Sequence, residues 1–370
     1  MSRVRYNNSV ALPATQTVIK QNEDGVLTIQ KDFPLPEIRS DRLLVRVEYV
    51  AINPCDWKMS ERFPAPGAVD GCDFAGTVVA LGSDVSKTGR FQVGEKVCGG
   101  VHGSNPIDPT TGSFAEYLSA DAEFTFKVPG YMGLKEAAAV GGTGIGTMGL
   151  ALSKSLGLPG SPTRPVGETD SKYVLVYAAS TSVGTLATQL LRLSGHRPIA
   201  VCSPKNYDLV KSYGAVKAFD YHSPTCAQDI RAYAKNRLAH IIDPIVEAKT
   251  MQLCYAAMGR AGGKYCALEA YADELCTRKV VKPELVMGMA ILGRKVALDH
   301  GYGSEADAGK RAFGIEWYRE MQDLLDAGRL MTHPVRVVPG RFDGIMKGLQ
   351  MLKTKQVSGE KLIVQLGSNN

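Results

Sequence analysis

The amino-acid sequence predicts an α/β protein in which a parallel-sheet domain accompanies a β-rich domain. Two observations support this prediction most directly. Short strand patterns separated by turns fill residues 15–135, which is typical of a β-rich unit. Strand and helix patterns alternate after residue 172, which is typical of parallel strands joined by crossover helices. The chain then returns to short strands near its end, after a long amphipathic helix pattern over residues 306–327.

Composition excludes several classes of protein. A length of 370 residues is enough for two or more domains, and the formal charge of +6 is too mild to indicate a nucleic-acid partner. The eight cysteines form no CxxC pair, so reduced thiols and a cytoplasmic location are expected. The first residues lack the apolar core of a signal peptide, and the uncharged stretch 137–152 is glycine-rich and too short to span a bilayer. No membrane partner is therefore expected.

Turn signals divide the β-rich part into short strands. Asn22 to Gly25 is a hairpin signal, and a longer strand pattern ends at Asn53-Pro54. Strands are predicted over residues 16–20, 26–30, 43–52, 74–81, 93–97 and 113–117. An alanine-rich helical segment follows over 134–152, and the glycines at its centre predict a close backbone approach. The proline-rich stretch 155–172 is a connection to the second domain.

The stretch from Tyr173 to Gly195 predicts a buried strand, a tight turn and an amphipathic helix. The turn reads Ala-Ser-Thr-Ser-Val-Gly at 179–184, so only the last glycine of a Gly-x-Gly-x-x-Gly motif is present. Free amides at a helix N-terminus still bind a pyrophosphate. The residues that would do so here are Ser180, Thr181, Ser182 and Val183. From this motif alone, a dinucleotide site and an ordinary strand-to-helix turn both remain open.

The alternation after this turn predicts the remaining elements of a Rossmann-type parallel sheet and its return to β structure. Further strands are predicted over residues 198–202, 217–220, 239–243, 263–268, 286–292, 335–338 and 361–366, and further helices over 206–213, 306–327 and 342–353. Strand 286–292 is either a free sheet edge that pairs two subunits or an edge covered by the following segment.

The end of the second predicted strand indicates which nucleotide binds. An enzyme that uses NAD places an acid there to accept from the ribose hydroxyls. This strand ends in Cys-Ser-Pro-Lys at 202–205, which offers the hydroxyl of Ser203 and the cation of Lys205. A charge-assisted contact contributes about 1.5–3 kcal/mol, so Lys205 predicts a preference for NADPH.

Several motifs of the β-rich part resemble a known family. They are Asn53-Pro54-x-Asp56, Gly71-x-Asp73-x-Ala75-Gly76, Val93-Gly94-Glu95-Lys96-Val97 and Gly112-Ser113-Phe114-Ala115-Glu116-Tyr117. In this order they resemble the GroES-like domain of the medium-chain dehydrogenase/reductases. The resemblance implies a GroES-like catalytic domain at 1–153, a Rossmann NADPH-binding domain at 154–305 and a return to the catalytic domain at 306–370.

The zinc-dependent branch of that family carries Cys where this chain has Asn53 and His where it has Cys72. Because zinc needs three or four converging ligands, a metal-free protein is expected, similar to the quinone-reductase branch. The resemblance also implies that the segment around Thr147 forms the floor of the active-site cleft under the nicotinamide. Tyr221 matches the tyrosine that reaches the 2′-phosphate in this family.

Closer motifs resemble the lovastatin-type trans-acting enoyl reductases of fungal polyketide synthases. They include Ala51 to Met59, Leu190 to Gly195, Cys202 to Asn206, Gly259 to Gly263 and Ser358 to Leu362. The resemblance implies NADPH-dependent reduction of the α,β-unsaturated thioester of a carrier-protein-bound polyketide, with a polyketide synthase as partner in secondary metabolism. Cofactor contacts are expected at the matching positions Asn53, Pro54, Asp56, Asn206, Gly359 and Lys361.

The implied chemistry places negative charge on the thioester oxygen, so the enzyme needs a donor at that oxygen. Lys58 is the candidate catalytic donor and Thr147 a second one. Two alternatives stay open: a stand-alone quinone or alkenal reductase, and a reductase-like scaffold or double-bond isomerase without redox activity. A monomer or weak dimer is expected, and a basic rim for an acidic carrier protein has the candidates Arg278, Lys279, Lys282, Arg294 and Lys295.

Overall fold

A computed structural model describes residues 12–367. Residues 1–11, on which the expectation about a signal peptide rests, lie outside the described residues. The described residues form two compact units, one comprising residues 12–143 together with 334–367, and the other comprising Gly144–His333. None of the helices between residues 12 and 367 combines the length and the apolar character that crossing a bilayer requires.

The N-terminal part of the first unit is built mainly from strands. Its elements are β1 (Thr15–Gln21), β2 (Leu27–Pro34), β3 (Arg42–Ala51), α1 (Pro54–Arg62), β4 (Asp73–Leu81), α2 (Ser83–Thr88), β5 (Lys96–Gly100), β6 (Tyr117–Asp121), a 3-10 turn (Ala122–Phe124), β7 (Thr125–Lys127) and α3 (Leu134–Val140). The helix α4 (Gly142–Gly149) follows; from Gly144 onward it belongs to the second unit, where it continues into a π-helical segment (Leu150–Ser155).

The second unit alternates strands and helices. Its elements are β8 (Tyr173–Tyr177), α5 (Ser182–Leu193), β9 (Arg197–Val201), a 3-10 turn (Pro204–Asn206), α6 (Tyr207–Ser212), β10 (Lys217–Phe219), α7 (Cys226–Tyr233), β11 (His240–Asp243), α8 (Ala248–Ala257), β12 (Gly263–Ala267), a 3-10 turn (Asp273–Leu275), β13 (Val281–Leu285), a 3-10 helix (Gly288–Leu292) and α9 (Ala308–Asp326). The chain returns to the first unit with β14 (Val335–Val337), α10 (Arg341–Lys353) and β15 (Lys361–Gln365).

A seven-stranded sheet carries the first unit, with the order β14-β15-β3-β4-β5-β7 and with β6 paired to β3. The central pair β3 and β4 is antiparallel and is buried along most of both strands. Phe74, Val45 and Leu362 are fully buried in the core beneath it. The C-terminal strand β15 pairs with β3 and so completes a sheet formed by the N-terminal part of the chain. The contact between Asn53 and Lys361 joins residues that are 308 positions apart in the sequence.

A six-stranded parallel sheet carries the second unit, with the order β10-β9-β8-β11-β12-β13. Strand β8 pairs with β9 on one side and with β11 on the other. The strand order therefore reverses at β8, and in such sheets ligands bind outside the carboxyl ends of the strands at this point. The α/β prediction and the parallel sheet are confirmed by this arrangement.

The structure differs from the predicted elements between residues 281 and 292. The predicted strand 286–292 is wrong: the edge strand β13 lies at Val281–Leu285, and Gly288–Leu292 is a 3-10 helix that ends at Gly293. Hydrogen bonds from the Ala290 N–H to the Met287 carbonyl at 3.1 Å and from the Gly293 N–H to the Ala290 carbonyl at 3.0 Å form 3-10 turns here, and Gly293, with a φ of 65°, ends the helix. The uniformly apolar sequence indicated burial here but not the backbone conformation.

The division of the chain also differs from the predicted boundaries at residues 153 and 305. Helix α9 belongs to the second unit rather than to the returning segment. Its buried Trp317 donates a hydrogen bond from Nε1 to the carbonyl oxygen of Ile145, at 2.9 Å. Because α9 packs on α4, both helices fall within the same compact unit, and the return to the first unit begins only at Pro334.

Candidate active site

The turn after β8 is shaped by residues 178–184. Ala178 adopts a left-handed conformation, with a φ of 49°, and α5 begins four residues later. Thr181 caps the helix: its hydroxyl accepts from the Gly184 N–H at 3.1 Å and donates to the Ala178 carbonyl at 2.8 Å. A Cβ at Gly184 would lie 2.5 Å from that carbonyl, so the retained glycine permits close packing of helix on strand.

This turn leaves donors at the start of a twelve-residue helix. The first N–H groups of a helix have no partner within it, and Thr181 occupies only that of Gly184. The N–H groups of Ser182 and Val183 and the hydroxyls of Ser180 and Ser182 form a donor set suited to a phosphate. All four predicted residues therefore lie in one turn, with Thr181 acting as the helix cap.

The structure brings together two further predicted residues from different strands. Ser203 follows β9 and Tyr221 follows β10, and their hydroxyl oxygens lie 3.1 Å apart. Tyr221 is 40% exposed, so the hydroxyl pair is accessible to a ligand. Lys205 is exposed and Asn206 half-buried in the 3-10 turn that follows Ser203. The loops after two neighbouring parallel strands thus present two hydroxyls with a cation nearby.

An acid that was not predicted from the sequence as a site residue precedes Tyr221 directly in the chain. Asp220 comes directly after β10, and its Oδ1 accepts from the backbone N–H of His222 at 3.0 Å and contacts His222 Nδ1 at 2.8 Å. The hydrogen bond from the His222 backbone N–H, with that from its ring, holds the pKa of Asp220 below its usual range. The signal was present in the sequence, as an acid at the end of the third strand rather than the second.

A buried polar network in the first unit contains three predicted cofactor residues. Lys361 Nζ lies 2.6 Å from Asn53 Oδ1 and 3.1 Å from Asp73 Oδ2. Asn53 donates from Nδ2 to Asp73 at 2.8 Å, and its backbone N–H donates to Asp56 Oδ2 at 2.7 Å. Asp73 also accepts from the Thr143 N–H at 2.9 Å. The polar atoms of Asn53, Asp56 and Lys361 are therefore engaged inside the unit.

The same network fixes the start of helix α1, which was not predicted from the sequence. Pro54 occupies the first helical position and is exposed, while Asp56 accepts from the N-cap backbone as in a capping box. The sequence Asn-Pro-x-Asp is a recognisable helix start, although its apolar pattern is too short to mark the helix that follows. Gly359, with a φ of 72°, forms the turn before β15.

The two predicted catalytic residues lie on helices of different units. Lys58 is half-buried on α1, and its Nζ lies 5.8 Å from the ring centroid of the adjacent Trp57. Thr147 is half-buried on α4 of the second unit. A Cβ added at Gly288 would overlap Thr147 Oγ1, so the glycine makes room for this hydroxyl.

Three possible metal-ligating groups converge in the first unit. Cys55 Sγ lies 3.9 Å from Cys72 Sγ and 3.8 Å from Asp56 Oδ1, and the three ligand atoms lie within 4.8 Å of one another. The thiol–thiol hydrogen bond lowers the pKa of Cys55, but burial and neighbouring carboxylates outweigh it and raise the pKa overall. The same hydrogen bond and burial hold the pKa of Cys72 well above its usual range. Protonated thiols are poor metal ligands.

The candidate basic rim is partly occupied by contacts within the second unit. The Arg278 guanidinium donates to the carbonyl oxygens of Tyr255 at 2.6 Å and Gly259 at 2.7 Å, around the C-terminus of α8. Lys295 pairs with Glu305 at 2.8 Å. Arg278 therefore satisfies carbonyl oxygens at the end of α8, and Glu305 offsets the charge of Lys295.

One family model and two named relatives match this sequence. Residues 39–130 match the alcohol dehydrogenase GroES-like domain. The sequence is 94% identical over 370 residues, all of both chains, to the trans-enoyl reductase phmE of Phaeosphaeria nodorum. It is 74% identical over 367 residues to the trans-enoyl reductase ffsC of Aspergillus flavipes, covering 99% of this chain and 100% of that relative.

A solved structure has the same fold. The crystal structure of CurK enoyl reductase aligns with a TM-score of 0.71 at 19% identity, covering 95% of this chain and 99% of the other. At this identity the likeness concerns the fold.

Proposed function

The chain belongs to the trans-enoyl reductases of the medium-chain dehydrogenase/reductase superfamily, and on that premise we propose that it uses NADPH to reduce a carrier-protein-bound enoyl thioester. It is an oxidoreductase that acts on a carbon–carbon double bond. The proposal adds the phosphorylated coenzyme, the carrier-bound form of the polyketide substrate and the residues that act on them.

The observation that carries the coenzyme assignment is the hydroxyl pair of Ser203 and Tyr221, 3.1 Å apart. A ribose 2′-phosphate accepts several hydrogen bonds and carries negative charge, so two exposed hydroxyls with Lys205 nearby suit it. The donors at the start of α5 suit the pyrophosphate of the same molecule. Both donor sets lie at carboxyl ends of the parallel strands β8, β9 and β10, where nucleotides bind in such sheets.

The residues of this chain thus fit a dinucleotide, and we assign them the following roles. Ser180, Ser182 and Val183 hold the pyrophosphate, with Thr181 keeping the helix start in place. Ser203, Lys205 and Tyr221 hold the 2′-phosphate, with Asn206 fixing the turn that carries Lys205. When bound, the reduced nicotinamide supplies the hydride that the β-carbon of the substrate receives.

The first unit contributes a cation and the scaffold that holds it. Lys58 stabilises the negative charge that develops on the thioester oxygen, and Thr147 provides a second donor. Asn53, Asp56 and Lys361 fix the start of α1, which carries Lys58 one turn later. Pro54 begins that helix, and Gly359 forms the turn before β15. These two residues, together with Asn53, Asp56 and Lys361, therefore act by positioning the site.

The chemistry needs no metal in this proposal. The cluster of Cys55, Asp56 and Cys72 offers protonated thiols, because both thiol pKa values are raised. The expected consequence is that a chelator such as EDTA leaves the reduction rate unchanged.

We further propose a cytoplasmic protein that is a monomer or weak dimer and that works with a polyketide synthase. All eight cysteines are free thiols, which suits a reducing compartment. The sheet edge β13 contains Pro283, which lacks an N–H and so weakens strand addition there. The names of the relatives phmE and ffsC describe enoyl reductases that act in trans, which supports a separate synthase as partner.

The test is the oxidation of NADPH, followed by its absorbance, with four acceptors supplied in turn. They are an enoyl group on an acyl carrier protein, the same group on pantetheine, a simple alkenal and a quinone. Reduction that is fastest with the carrier-bound thioester supports the proposal. Comparable or faster turnover of the quinone or alkenal would favour the stand-alone reductase, and tight NADPH binding without oxidation by any acceptor would favour the scaffold or isomerase.

A further inference from the structure

We propose that His222 determines the preference for the phosphorylated coenzyme by occupying the carboxylate of Asp220. This inference rests on the proposed function and concerns how the chain tolerates an acid beside the 2′-phosphate site. His222 acts as a positioning residue through Asp220, and direct contact between His222 and the coenzyme is not required.

Asp220 lies at the carboxyl end of a strand in the parallel sheet. It directly follows β10, whose last residue Phe219 pairs with Val201 at the end of β9. Burial is the main cause that raises the pKa of Cys202 and the pKa of Tyr207. The negative charge of Asp220 is the second cause for both groups. The charge of Asp220 therefore reaches the end of β9, where Ser203 begins the phosphate-binding loop.

An acid at that position affects which coenzyme binds. A carboxylate near the ribose accepts from its 2′- and 3′-hydroxyls and repels a 2′-phosphate, which is how NAD enzymes discriminate against NADP. An unoccupied Asp220 would therefore favour the unphosphorylated coenzyme. Its negative charge would oppose the binding of a 2′-phosphate by the hydroxyls of Ser203 and Tyr221. Asp220 directly precedes Tyr221 in the sequence.

His222 counteracts the effect of the Asp220 carboxylate on coenzyme preference. Asp220 Oδ1 receives two contacts from His222, from the backbone N–H at 3.0 Å and from Nδ1 at 2.8 Å. A carboxylate offers only lone pairs, so Nδ1 carries the proton in this contact. These bonds take up the acceptor capacity of Oδ1 and place a positive dipole or charge against the carboxylate.

The same imidazole also supports the phosphate-binding tyrosine. Its ring centroid lies 4.0 Å from that of Tyr221, with an angle of 36° between the planes. The hydroxyl of Tyr221 in turn contacts Ser203 Oγ at 3.1 Å. His222 thus pairs with the acid and packs against the tyrosine whose hydroxyl is assigned to the phosphate.

The experiment measures binding of adenosine 2′,5′-bisphosphate and of 5′-AMP to the full-length protein by calorimetry, without any turnover. The ratio of the two dissociation constants isolates the 2′-phosphate. His222→Ala should reduce the preference for the bisphosphate by about threefold to tenfold. Adding Asp220→Asn to that variant should restore the preference to within about twofold of wild type, because the repelling charge is gone. His222→Asn, which keeps an N–H donor, should retain most of it.

The inference is overturned if His222→Ala keeps the wild-type ratio, or if Asp220→Asn fails to restore a ratio that His222→Ala has lowered. A merely structural role of His222 would weaken both ligands equally and also overturns it. If the wild-type protein itself binds both ligands equally, the assignment of NADPH fails, and this inference fails with it. That outcome is recognisable because it needs no variant.

Discussion

Lys361 Nζ lies 3.1 Å from Asp73 Oδ2 in the interior of the first unit, where both side chains are almost fully buried. The contact joins the C-terminal strand β15 to the start of β4, and Asn53 Oδ1 is a second partner of the same ammonium. A buried charge whose partner is removed is strongly destabilising, since it has lost both water and its counter-charge. The ion pair therefore ties the returning strand β15 to β4, and the contact with Asn53 extends this link to the start of α1.

Removing the ammonium tests this role. Lys361→Ala should lower the free energy of unfolding by about 3–5 kcal/mol, because it leaves Asp73 buried without its cation. The matched control is Lys353→Ala, which removes a lysine paired with Glu61 on the surface and should cost less than about 1 kcal/mol. Urea denaturation of both variants measures the difference. Equal costs for the two substitutions would show that Lys361 does not hold the network together.

Lys58 is expected to act on turnover rather than on binding. Lys58→Ala should lower kcat for an enoyl thioester by about tenfold to a hundredfold, because the developing oxyanion loses a charged donor. The Michaelis constant for NADPH should change by less than about threefold, and Lys58→Arg should retain part of the rate. Steady-state kinetics separates the two parameters. A change in the NADPH constant with an unaltered kcat would contradict the assignment.

The hydroxyl of Thr147 can be moved by a substitution at Gly288, which leaves the threonine itself in place. In Gly288→Ala the new methyl group overlaps Thr147 Oγ1, so the hydroxyl must move. If this hydroxyl is a donor to the reacting oxygen, Gly288→Ala and Thr147→Val should lower kcat by similar factors. The double variant should then be no slower than the worse single variant, because both act on one group. Effects that multiply in the double variant would show that the two residues act separately.

Asp70 predicts a pH dependence of stability. Burial raises its pKa from the usual 3.8 to about 7, while Ser104 donates to its Oδ1 at 2.7 Å. The native state therefore holds this proton more tightly than the unfolded chain, and the stabilisation is present below about pH 4 and is lost as the pH rises through about 7.

The comparison that removes this group is Asp70→Asn, which cannot ionise. Asp56, whose pKa is raised by burial and by the charge of Asp70, is still present in both proteins. Between pH 5 and 8 the free energy of unfolding of wild type should fall relative to that of the variant by about 2–4 kcal/mol. His102, whose pKa burial lowers to about 4, acts in the opposite direction in this region but equally in both proteins. Urea denaturation at several pH values measures the difference, and parallel curves would contradict the raised pKa.

The parts of the fold that the sequence predicted well are those with local patterns. The strand Tyr173–Tyr177 and the helix after it have strong and distinct apolar periods, and both elements lie within the predicted stretch from Tyr173 to Gly195. The short helix α1 has a weak apolar period and was missed, although its capping residues were visible. The run 286–292 was apolar throughout, so the sequence could not distinguish a buried strand from a buried 3-10 helix.

The site shows the same contrast between local and distant relationships. The donors around Thr181 and the residues after β9 belong to one local segment each, so their type could be inferred from their positions. The engagement of Lys361 with Asn53 joins residues 308 positions apart, and no local pattern predicts such a contact. Asp220 was overlooked because the expected position for a discriminating acid was the second strand, whereas parallel pairing places the end of the third strand beside it.

The most direct test of the central claim compares NADPH with NADH in the reduction of an enoyl thioester. Wild type should show a kcat/KM at least about tenfold higher with NADPH, and Lys205→Glu should remove most of this difference by raising the Michaelis constant for NADPH. Lys211→Glu, an exposed lysine on α6, is the control for net charge and should preserve the preference. Equal kcat/KM values for the two coenzymes in wild type, or equal effects of Lys205→Glu on both, would contradict the account.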